Sequence, residues 1–356
     1  MPESILYLPS TPLNILISCV HALHYQSSGK KELWLIDQKN CTDNLYMKAL
    51  ENWQGSPFCG THILCGNQKG VAKLKERKAN FKWLKTELNR FTPTIIFTGS
   101  DRRVEFQYVM YQMKYSNPDG GYLDDGLYSY SGRKNVWYKD LVSSFLKKIS
   151  YGFWWEEPKT IGASSNIKQV HLFQPEVALP IIKQGKKLYK LDVKLFLDEK
   201  IIELGQQVLA LFAEKIETYQ GIEVLIFIPH PNDVAKMQGY LSKLEVLLCK
   251  LKKKNKTVAI KYHPRVGTGD PLNLKRLGVD KIIPAALASE FLLPVLPKKC
   301  MVLGDVGTAL LTCHWLRPDI NLKAILSTED KFQKAFIPIM KKMGINIVSS
   351  IEEIEI

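Results

Sequence analysis

Short apolar runs alternate along the chain with longer stretches in which apolar residues recur every three or four positions. The runs predict strands at 4–8, 32–36, 61–65, 94–99, 121–125, 168–173, 222–229, 257–264, 299–304 and 322–327. The longer stretches predict helices, among them 12–26, 70–91, 198–218 and 233–254. Strands and helices that alternate in this way are typical of parallel sheets covered by helices.

The length of the chain predicts two domains, because 356 residues exceed what one hydrophobic core usually serves. The composition changes within 131–166, where aromatic and basic residues give way to small polar ones. We therefore expect a Rossmann-like domain at 1–156, a second at 167–335 and a tail at 336–356 that packs on either domain. Two α/β domains of this kind that face each other across a deep cleft form the GT-B fold.

The composition describes an ordinary soluble protein, with 46% hydrophobic and 24% charged residues. No apolar run approaches the roughly 18 residues that a membrane span needs. The N-terminus lacks the basic and apolar regions of a signal peptide, so we expect a cytoplasmic protein. Seven scattered cysteines without a CxxC pair argue against a disulfide framework or a structural zinc site.

The formal charge of +14 predicts an anionic partner. Lysine clusters at 181–194 and 249–256 supply much of the charge, although each alone also fits a solvated helix face. The segment 136–155 mixes aromatic residues with lysines, as helices at a membrane interface do. Core packing with a basic outer face explains that segment equally well.

The stretch LDDG places two adjacent carboxylates, Asp124 and Asp125, at the end of a predicted strand. Burial and a neighbouring like charge raise the pKa of one member of such a pair, which suits a general base. An Asp-Gly turn without chemistry is the alternative. Because the acids are adjacent rather than spaced by one residue, we do not expect them to bind a metal. Ser100 and Asp101, which follow another strand, are candidate contacts for an acceptor substrate.

The stretch IKYHPR places His263 directly after a second-half strand, between Lys261 and Arg265 and before Pro264. Lys261 and His263 alternate onto one face of the strand, where they form a compact cationic site for a phosphate. The alternative is a histidine that is simply packed in the core.

Three weaker elements also fall in the second half. Glu290 begins a helix, and Gly307-Thr308 lie at a strand–turn–helix junction where backbone N–H groups bind phosphate. A plain Gly-Thr helix cap explains that junction as well. Pro229 and His230 end the strand at 222–229, where they line a nucleotide cleft or form only a proline-rich turn.

In this order, the motifs resemble those of the bacterial GT-B sialyltransferases, that is, glycosyltransferase families 52 and 80 and the capsule polysialyltransferases of family 38. The acidic-acidic-Gly motif of these families is matched by Asp124-Asp125-Gly126, and their His-Pro motif by His263-Pro264. A basic residue often precedes the His-Pro motif by two positions, as Lys261 does here.

The remaining motifs of these families follow in the same order. Glu290, 27 residues after His263, matches a glutamate that contacts the ribose of CMP, and Thr308 matches a residue that binds the CMP phosphate. Thr11 opens a Thr-Pro-Leu turn that is similar to theirs, which makes it a candidate acceptor contact. Two matches are incomplete: Gly307 replaces a hydroxyl residue, and Pro-His-Pro at 229–231 replaces a Gly/Ser turn.

The resemblance implies an inverting, metal-independent transfer of sialic acid from CMP-sialic acid to a bacterial surface glycan, either lipooligosaccharide or capsule polysialic acid. Asp125 is then the general base, Asp124 holds the turn, and His263 protonates or hydrogen-bonds the leaving phosphate. Lys261, Arg265 and Thr308 neutralise the charge of the phosphate. An anionic glycan acceptor, and peripheral association with the inner face of the bacterial inner membrane, would account for the basic charge.

Three alternatives remain open at this stage. A CMP-Kdo-dependent capsule glycosyltransferase would carry the same motifs, because they contact the nucleotide rather than the sugar. A non-catalytic polyanion- or nucleic-acid-binding protein would explain the charge, but no RRM, KH, zinc-finger or helix-turn-helix signature is present. An NAD-dependent enzyme is disfavoured because no G-x-G-x-x-G follows the first strand.

Overall fold

The computed structural model describes residues 3–132, 137–235, 237, 239–349 and 353–354. The chain divides into two compact units at Leu204/Gly205, within helix α8 (Glu199–Leu211). Each unit contains one sheet, and every strand pairing in both sheets is parallel.

The first unit is built on a seven-stranded sheet in the order β3-β2-β1-β4-β5-β6-β7. Its strands are β1 (Ile5–Leu8), β2 (Lys31–Gln38), β3 (Gly60–Cys65), β4 (Ile95–Thr98), β5 (Asp119–Leu123), β6 (Ile167–Leu172) and β7 (Lys187–Lys190). Its helices are α1 (Pro12–His24), α2 (Leu45–Asn52), α3 (Gly70–Arg90), α4 (Val104–Gln112), α5 (Tyr128–Ser131), α6 (Trp137–Tyr151) and α7 (Pro180–Lys183), with a 3-10 helix at Val193–Leu197.

The central strands of this sheet are apolar along their whole length, because helices cover both faces. All four residues of β1 and of β4 are buried. Helix α1 begins directly after β1: Pro12 occupies its first turn, and the Thr11 hydroxyl accepts a hydrogen bond from the backbone N–H of Asn14 (3.3 Å). This cap fixes the turn at the carboxyl end of β1.

The second unit is built on a six-stranded sheet in the order β10-β9-β8-β11-β12-β13. Its strands are β8 (Val224–Phe227), β9 (Val258–Lys261), β10 (Lys281–Ile283), β11 (Met301–Gly304), β12 (Asn321–Ile325) and β13 (Ile347–Val348). Its helices are α9 (Ile216–Gln220), α10 (Pro231–Val234), α11 (Tyr240–Lys253), α12 (Ser289–Leu292), α13 (Thr308–Leu316), α14 (Lys331–Lys334) and α15 (Ile337–Lys342), with 3-10 helices at Pro264–Val266, Leu274–Leu277 and Leu293–Val295.

The boundary between the units lies later than the composition change indicates. The strand predicted at 168–173 pairs with β5 and, on its other edge, with β7, so it extends the first sheet instead of opening the second. The residues at 167–204 therefore belong to the first unit. The predicted tail at 336–356 belongs to the second unit, where β13 pairs with β12.

Two local predictions also change. The helix predicted at 198–218 is interrupted, because Ala213 adopts a left-handed conformation (φ 56°) between α8 and α9. The scattered cysteines gave no indication of a disulfide, but the structure joins one pair, Cys41 and Cys65. No helix in the described part of the chain is long and apolar enough to cross a membrane.

Candidate active site

The candidate residues of the first unit lie at the carboxyl edge of its sheet. Sequence order reverses between β1 and β4, and ligands of open parallel sheets bind at such a reversal. Thr11 follows β1, Ser100 and Asp101 follow β4, and the Asp124-Asp125 pair follows β5. Parallel pairing of β1 with β4 and of β4 with β5 brings these turns together.

Asp124 is the internal member of the acid pair. It is fully buried, and its carboxylate accepts hydrogen bonds from the Ser129 hydroxyl (2.7 Å), the Tyr130 hydroxyl and the backbone N–H groups of Gly126 (3.0 Å) and Phe173 (3.1 Å). Burial raises its pKa, whereas these four hydrogen bonds lower it. With both oxygens engaged, Asp124 is suited to hold the turn.

Asp125 is the partly exposed member of the pair. The Asn14 side-chain amide donates a hydrogen bond to its Oδ1 (3.1 Å). Burial raises the pKa of Asp125 to about 7, while the Asn14 hydrogen bond and the Arg103 guanidinium oppose the increase. An accessible carboxyl with a pKa near neutrality has the properties of a general base.

Asn14 was not identified from the sequence. It is fully buried on the first turn of α1, and its Oδ1 has no hydrogen-bond partner among the described residues. A Cβ at Gly99, just after β4, would lie 2.1 Å from the Asn14 side chain, so only glycine fits there. The spacing of 111 residues between Asn14 and Asp125 leaves no sequence signal for the contact.

Arg103 is a second residue that sequence reasoning missed. It caps helix α4, contacts the Asp37 carboxylate and donates a hydrogen bond to the Ser10 hydroxyl (3.2 Å). Its charge favours ionisation of Asp125. The candidate base therefore lies beside a cation as well as a buried amide.

The predicted acceptor contacts on the β4 turn are internal. Asp101 is fully buried, and its carboxylate accepts hydrogen bonds from the backbone N–H groups of Gly162 (2.9 Å) and Ser164 (2.7 Å). Burial raises the pKa of Asp101 to about 6. Ser100 is also buried, and the Thr11 hydroxyl caps α1. This geometry argues against Asp101 as an acceptor contact, because its carboxylate instead organises the loop at 162–164.

In the second unit, sequence order reverses between β8 and β11. His263 follows β9, which is the neighbour of β8, and it caps the 3-10 helix Pro264–Val266. Its Nδ1 accepts a hydrogen bond from the backbone N–H of Arg265 (3.2 Å). Burial, His230, Arg265 and Lys261 lower the pKa of His263 to about 4, so the ring is neutral at neutral pH. It offers a phosphate an N–H donor instead of a positive charge.

His230 follows β8 and has the same arrangement. Its Nδ1 accepts a hydrogen bond from the backbone N–H of Asn232 (3.1 Å) at the start of α10. The His230 and His263 rings are in edge-to-face contact, with centroids 4.9 Å apart and planes at 81°. Pro229 beside it is partly exposed, and Pro264 and Arg265 are exposed.

Lys261 acts electrostatically on His263, but its ammonium is engaged within the second unit. Its ammonium is buried and donates a hydrogen bond to the Ala285 carbonyl (3.1 Å). Burial lowers its pKa to about 8, and the nearby Glu290 opposes that decrease. Glu290 is itself buried, with its pKa raised by burial. Lys261 therefore stabilises the segment that carries Glu290.

Gly307 and Thr308 lie where α13 begins after β11. A Cβ at Gly307 would meet no described atom within 4 Å, so the space beside this helix N-terminus is open. Asp305, between β11 and the helix, accepts hydrogen bonds from Val306 N (2.5 Å) and the Gln333 amide (2.9 Å). Burial raises the pKa of Asp305 to about 6.

No group of three or more histidine, cysteine, aspartate or glutamate side chains is arranged to hold a metal ion within the described ranges. The candidate residues thus form two clusters, one at the carboxyl edge of each sheet. The acid cluster contains a titratable base, and the histidine cluster contains two touching imidazoles, His230 and His263, in the unit whose helix α13 has an open N-terminus.

Comparison with solved structures supports the two-domain α/β architecture of the GT-B class. The chain is similar to a galactoside α-2,3-sialyltransferase from Photobacterium phosphoreum (TM-score 0.58, 13% identity, covering 100% of both chains). It is also similar to the GT-B domain of a sialyltransferase from Photobacterium damselae (TM-score 0.54, 13% identity, 98% of both chains). A UDP-GlcNAc 2-epimerase from Methanocaldococcus jannaschii has a comparable fold (TM-score 0.55, 12% identity, 98% of this chain and 90% of the other).

No protein-family model matches the sequence, and neither does any curated protein. At 12–13% identity, the structural likeness defines the fold and leaves the substrates open. The expected fold class, an α/β protein of GT-B type with two Rossmann-like domains, is confirmed. The resemblance to bacterial sialyltransferases holds at the level of this fold.

Proposed function

We propose that the protein is an inverting glycosyltransferase that moves sialic acid from CMP-sialic acid to a sugar hydroxyl, without a metal. The environment of Asp125 carries the proposal: a partly exposed carboxyl with a pKa of about 7, oriented by a buried amide at the carboxyl edge of a Rossmann-like sheet. A carboxyl without a catalytic role would gain nothing from this partial burial, which disfavours its charged form.

In this reaction, Asp125 accepts the proton of the acceptor hydroxyl as the oxygen bonds to the anomeric carbon. The bond between that carbon and the phosphate oxygen breaks, and CMP leaves with the electron pair through an oxocarbenium-like transition state. The neutral His263 ring donates a hydrogen bond to the departing phosphate. The N-terminus of α13, at Gly307 and Thr308, favours the same negative charge.

The sialyltransferase neighbours support this choice of reaction, and the epimerase neighbour motivates the main rival. An enzyme that acts on UDP-GlcNAc would use the same fold, whereas a CMP-Kdo transferase would use the same motifs. A non-catalytic polyanion-binding protein would have no use for an oriented, titrating carboxyl. The sugar nucleotide that is consumed separates all four.

The test offers the purified protein CMP-sialic acid, CMP-Kdo and UDP-GlcNAc in parallel, with and without galactoside or sialoside acceptors, and measures free nucleotide and product mass. We expect CMP release and a product larger by one sialic acid with CMP-sialic acid plus acceptor. Asp125→Asn should reduce this rate by about 10² to 10⁴ while the protein stays folded, because general-base catalysis has that magnitude. Epimerised UDP-GlcNAc, or no turnover of any CMP-sugar, would refute the proposal.

We also propose that the acceptor is anionic and that the protein binds an anionic membrane surface through helix α6. Five large apolar side chains there are 57–63% exposed: Leu141, Val142, Phe145, Leu146 and Ile149. Phe153, just beyond the end of the helix, is 85% exposed. They do not pack in the core, which was the alternative interpretation of this segment. An apolar stripe of this kind on a chain of charge +14 fits a lipid surface that carries negative charge.

Aromatic residues continue the stripe beyond the end of α6. Trp154 stacks on Tyr111 (centroids 5.8 Å), and the Lys114 ammonium lies over both Tyr111 and Tyr115. Tyr115 is 91% exposed. Aromatic rings and lysines together are typical of the zone where a membrane surface meets water.

The membrane proposal is tested by sedimentation with vesicles of phosphatidylglycerol or of phosphatidylcholine at low and high salt. We expect binding to the anionic vesicles that weakens with salt, and a loss of at least about tenfold in a Phe145→Ser, Ile149→Ser variant, since each apolar group contributes about 1 kcal/mol or more when buried. Val246→Ser, an equally exposed position on α11, is the matched control. Dimerisation through α6 without lipid binding would overturn the proposal.

A further inference from the structure

The sequence His-Pro occurs twice in the second unit, at the ends of adjacent parallel strands. His230-Pro231 follows β8, and His263-Pro264 follows β9. In both turns the imidazole Nδ1 accepts a hydrogen bond from the backbone N–H two residues later, at 3.1 Å and 3.2 Å. The two turns thus hold two rings in the same local geometry, and the rings touch.

These hydrogen bonds assign the ring proton of each histidine. Because Nδ1 is the acceptor in both turns, the proton is on Nε2. Among the residues that the structure describes, neither Nε2 atom has a hydrogen-bond partner, and both rings are partly exposed. His230 and His263 therefore present two neighbouring N–H donors to a ligand.

The order of the strands determines where a ligand lies if it contacts both His263, after β9, and the Gly307-Thr308 turn, after β11. In the sheet, β8 is flanked by β9, which carries His263, and by β11, which leads to Gly307 and Thr308. Adjacent strands are about 4.8 Å apart, so the ends of β9 and β11 are separated by roughly 10 Å. A phosphate that reaches both of these ends must pass over the end of β8, where His230 lies.

We propose that His230 is a second phosphate-binding residue, which acts with His263 to place two Nε2–H donors on the phosphate of the sugar nucleotide. This inference rests on the proposed function, because it assumes a nucleotide whose phosphate binds between β9 and β11. It assigns a ligand contact to the Pro-His-Pro turn at 229–231, which replaces the Gly/Ser turn of the families that the sequence resembles.

A cation and an anion both lie near the pair. Arg265 is exposed beside His263, whereas Asp233, on helix α10, acts on His263 with the opposite sign. The two Nε2–H groups, and not the net charge of their surroundings, therefore carry the proposed contact.

The test measures CMP and cytidine binding by titration calorimetry in the full-length protein and in two variants of His230. In His230→Asn, the side-chain oxygen replaces Nδ1 as the cap of α10, but the distal N–H is lost. In His230→Gln, the amide nitrogen replaces Nε2 as the hydrogen-bond donor. The variants therefore separate the turn from the ligand contact.

We expect His230→Asn to weaken CMP binding by roughly 10- to 100-fold, the range for one lost hydrogen bond to a charged group, and to leave cytidine binding unchanged. His230→Gln should bind CMP within about threefold of the wild type, because one N–H donor is retained. Equal loss of CMP and cytidine affinity, or unchanged CMP binding by His230→Asn, would overturn the inference. If the wild type binds no CMP, the proposed function itself fails.

Discussion

Asn14 controls the ionisation of the candidate base through one hydrogen bond. Its buried amide donates to Asp125 Oδ1 and so favours the charged carboxylate, against a burial effect that raises the pKa to about 7. A general base works only in its deprotonated form, so activity should increase with pH through this value. The pH at which activity increases therefore measures the effect of the Asn14 hydrogen bond on the pKa of Asp125.

Replacement of Asn14 by leucine keeps the branched shape but removes the hydrogen bond. We expect the pKa of Asp125 to rise, so that the acidic limb of the kcat/KM profile moves up by about one pH unit, the equivalent of one hydrogen bond to a charge. The plateau rate at high pH should change less than the rate at pH 6. Thermal unfolding of the variant serves as the control, and an unshifted acidic limb would show that Asn14 does not act on the base.

The two carboxylates of the LDDG stretch show how far sequence reasoning reaches at this scale. Adjacent acids after a strand predicted that one of them is a base, and the family resemblance assigned that role to Asp125. The structure buries Asp124 fully and leaves Asp125 partly exposed. Asn14 and Arg103 could not be predicted, because only the closeness of the β1, β4 and β5 turns brings them to Asp125. Lys261 was a candidate by alternation, but its ammonium bonds a carbonyl instead.

The β5–α5 turn depends on Asp124, since four donors from three segments converge on one carboxylate. We expect Asp124→Ala to lower the free energy of unfolding by about 3 kcal/mol or more, because buried donors left without an acceptor cost about 1–3 kcal/mol each. Asp125→Asn should cost less than about 1 kcal/mol, since its side chain is partly exposed and keeps the shape of the carboxylate. Urea unfolding of both variants gives the comparison.

Comparison of the Asp124 and Asp125 variants separates a structural role from a catalytic one. Asp124→Ala should lose stability and Asp125→Asn should lose activity at nearly unchanged stability. If Asp125→Asn unfolds as readily as Asp124→Ala, then Asp125 has a structural role, and the assignment of a base at this turn is wrong.

At the level of elements, every interior strand was predicted, whereas of the four edge strands only β3 was. The ten predicted strands all exist, and most of them bury a continuous apolar run, although in β3 only Leu64 is buried. The strands that were missed, β7, β10 and β13, all lie at sheet edges. All four residues of β7, Lys187–Lys190, are exposed, so no alternation of buried positions marks it in the sequence. Without β7, no sequence pattern assigned β6 to the first sheet.

Across the whole molecule, two sets of buried groups respond to acid in opposite directions. Burial raises the pKa of the carboxyl groups Asp101, Asp124, Asp125, Glu290 and Asp305. These groups keep protons in the folded state that the unfolded chain has lost, so a fall in pH from about 7 toward 4 stabilises the fold through them.

Burial lowers the pKa of His21, His171, His263 and His314. The unfolded chain protonates these histidines below pH 6.5, so the same fall destabilises the fold.

His171 offers a way to separate the two sets. Its ring is buried, stacks on Tyr189 (centroids 4.6 Å) and contacts Phe97, so phenylalanine fits the same planar site. Burial lowers its pKa from 6.5 to about 4. Protonation of the unfolded chain therefore penalises the wild type by up to about 3 kcal/mol at pH 4, and His171→Phe removes that penalty.

We expect the free energy of unfolding of His171→Phe, relative to the wild type, to increase steadily as the pH falls from 8 to 4. The difference at pH 8, where the histidine is neutral in both states, is the internal control for packing and for the lost contact with Gln169. Chemical denaturation at intervals of half a pH unit resolves the slope. A difference that stays constant with pH would mean that His171 is protonated as readily in the folded chain as in the unfolded one, and that it has no part in acid stability.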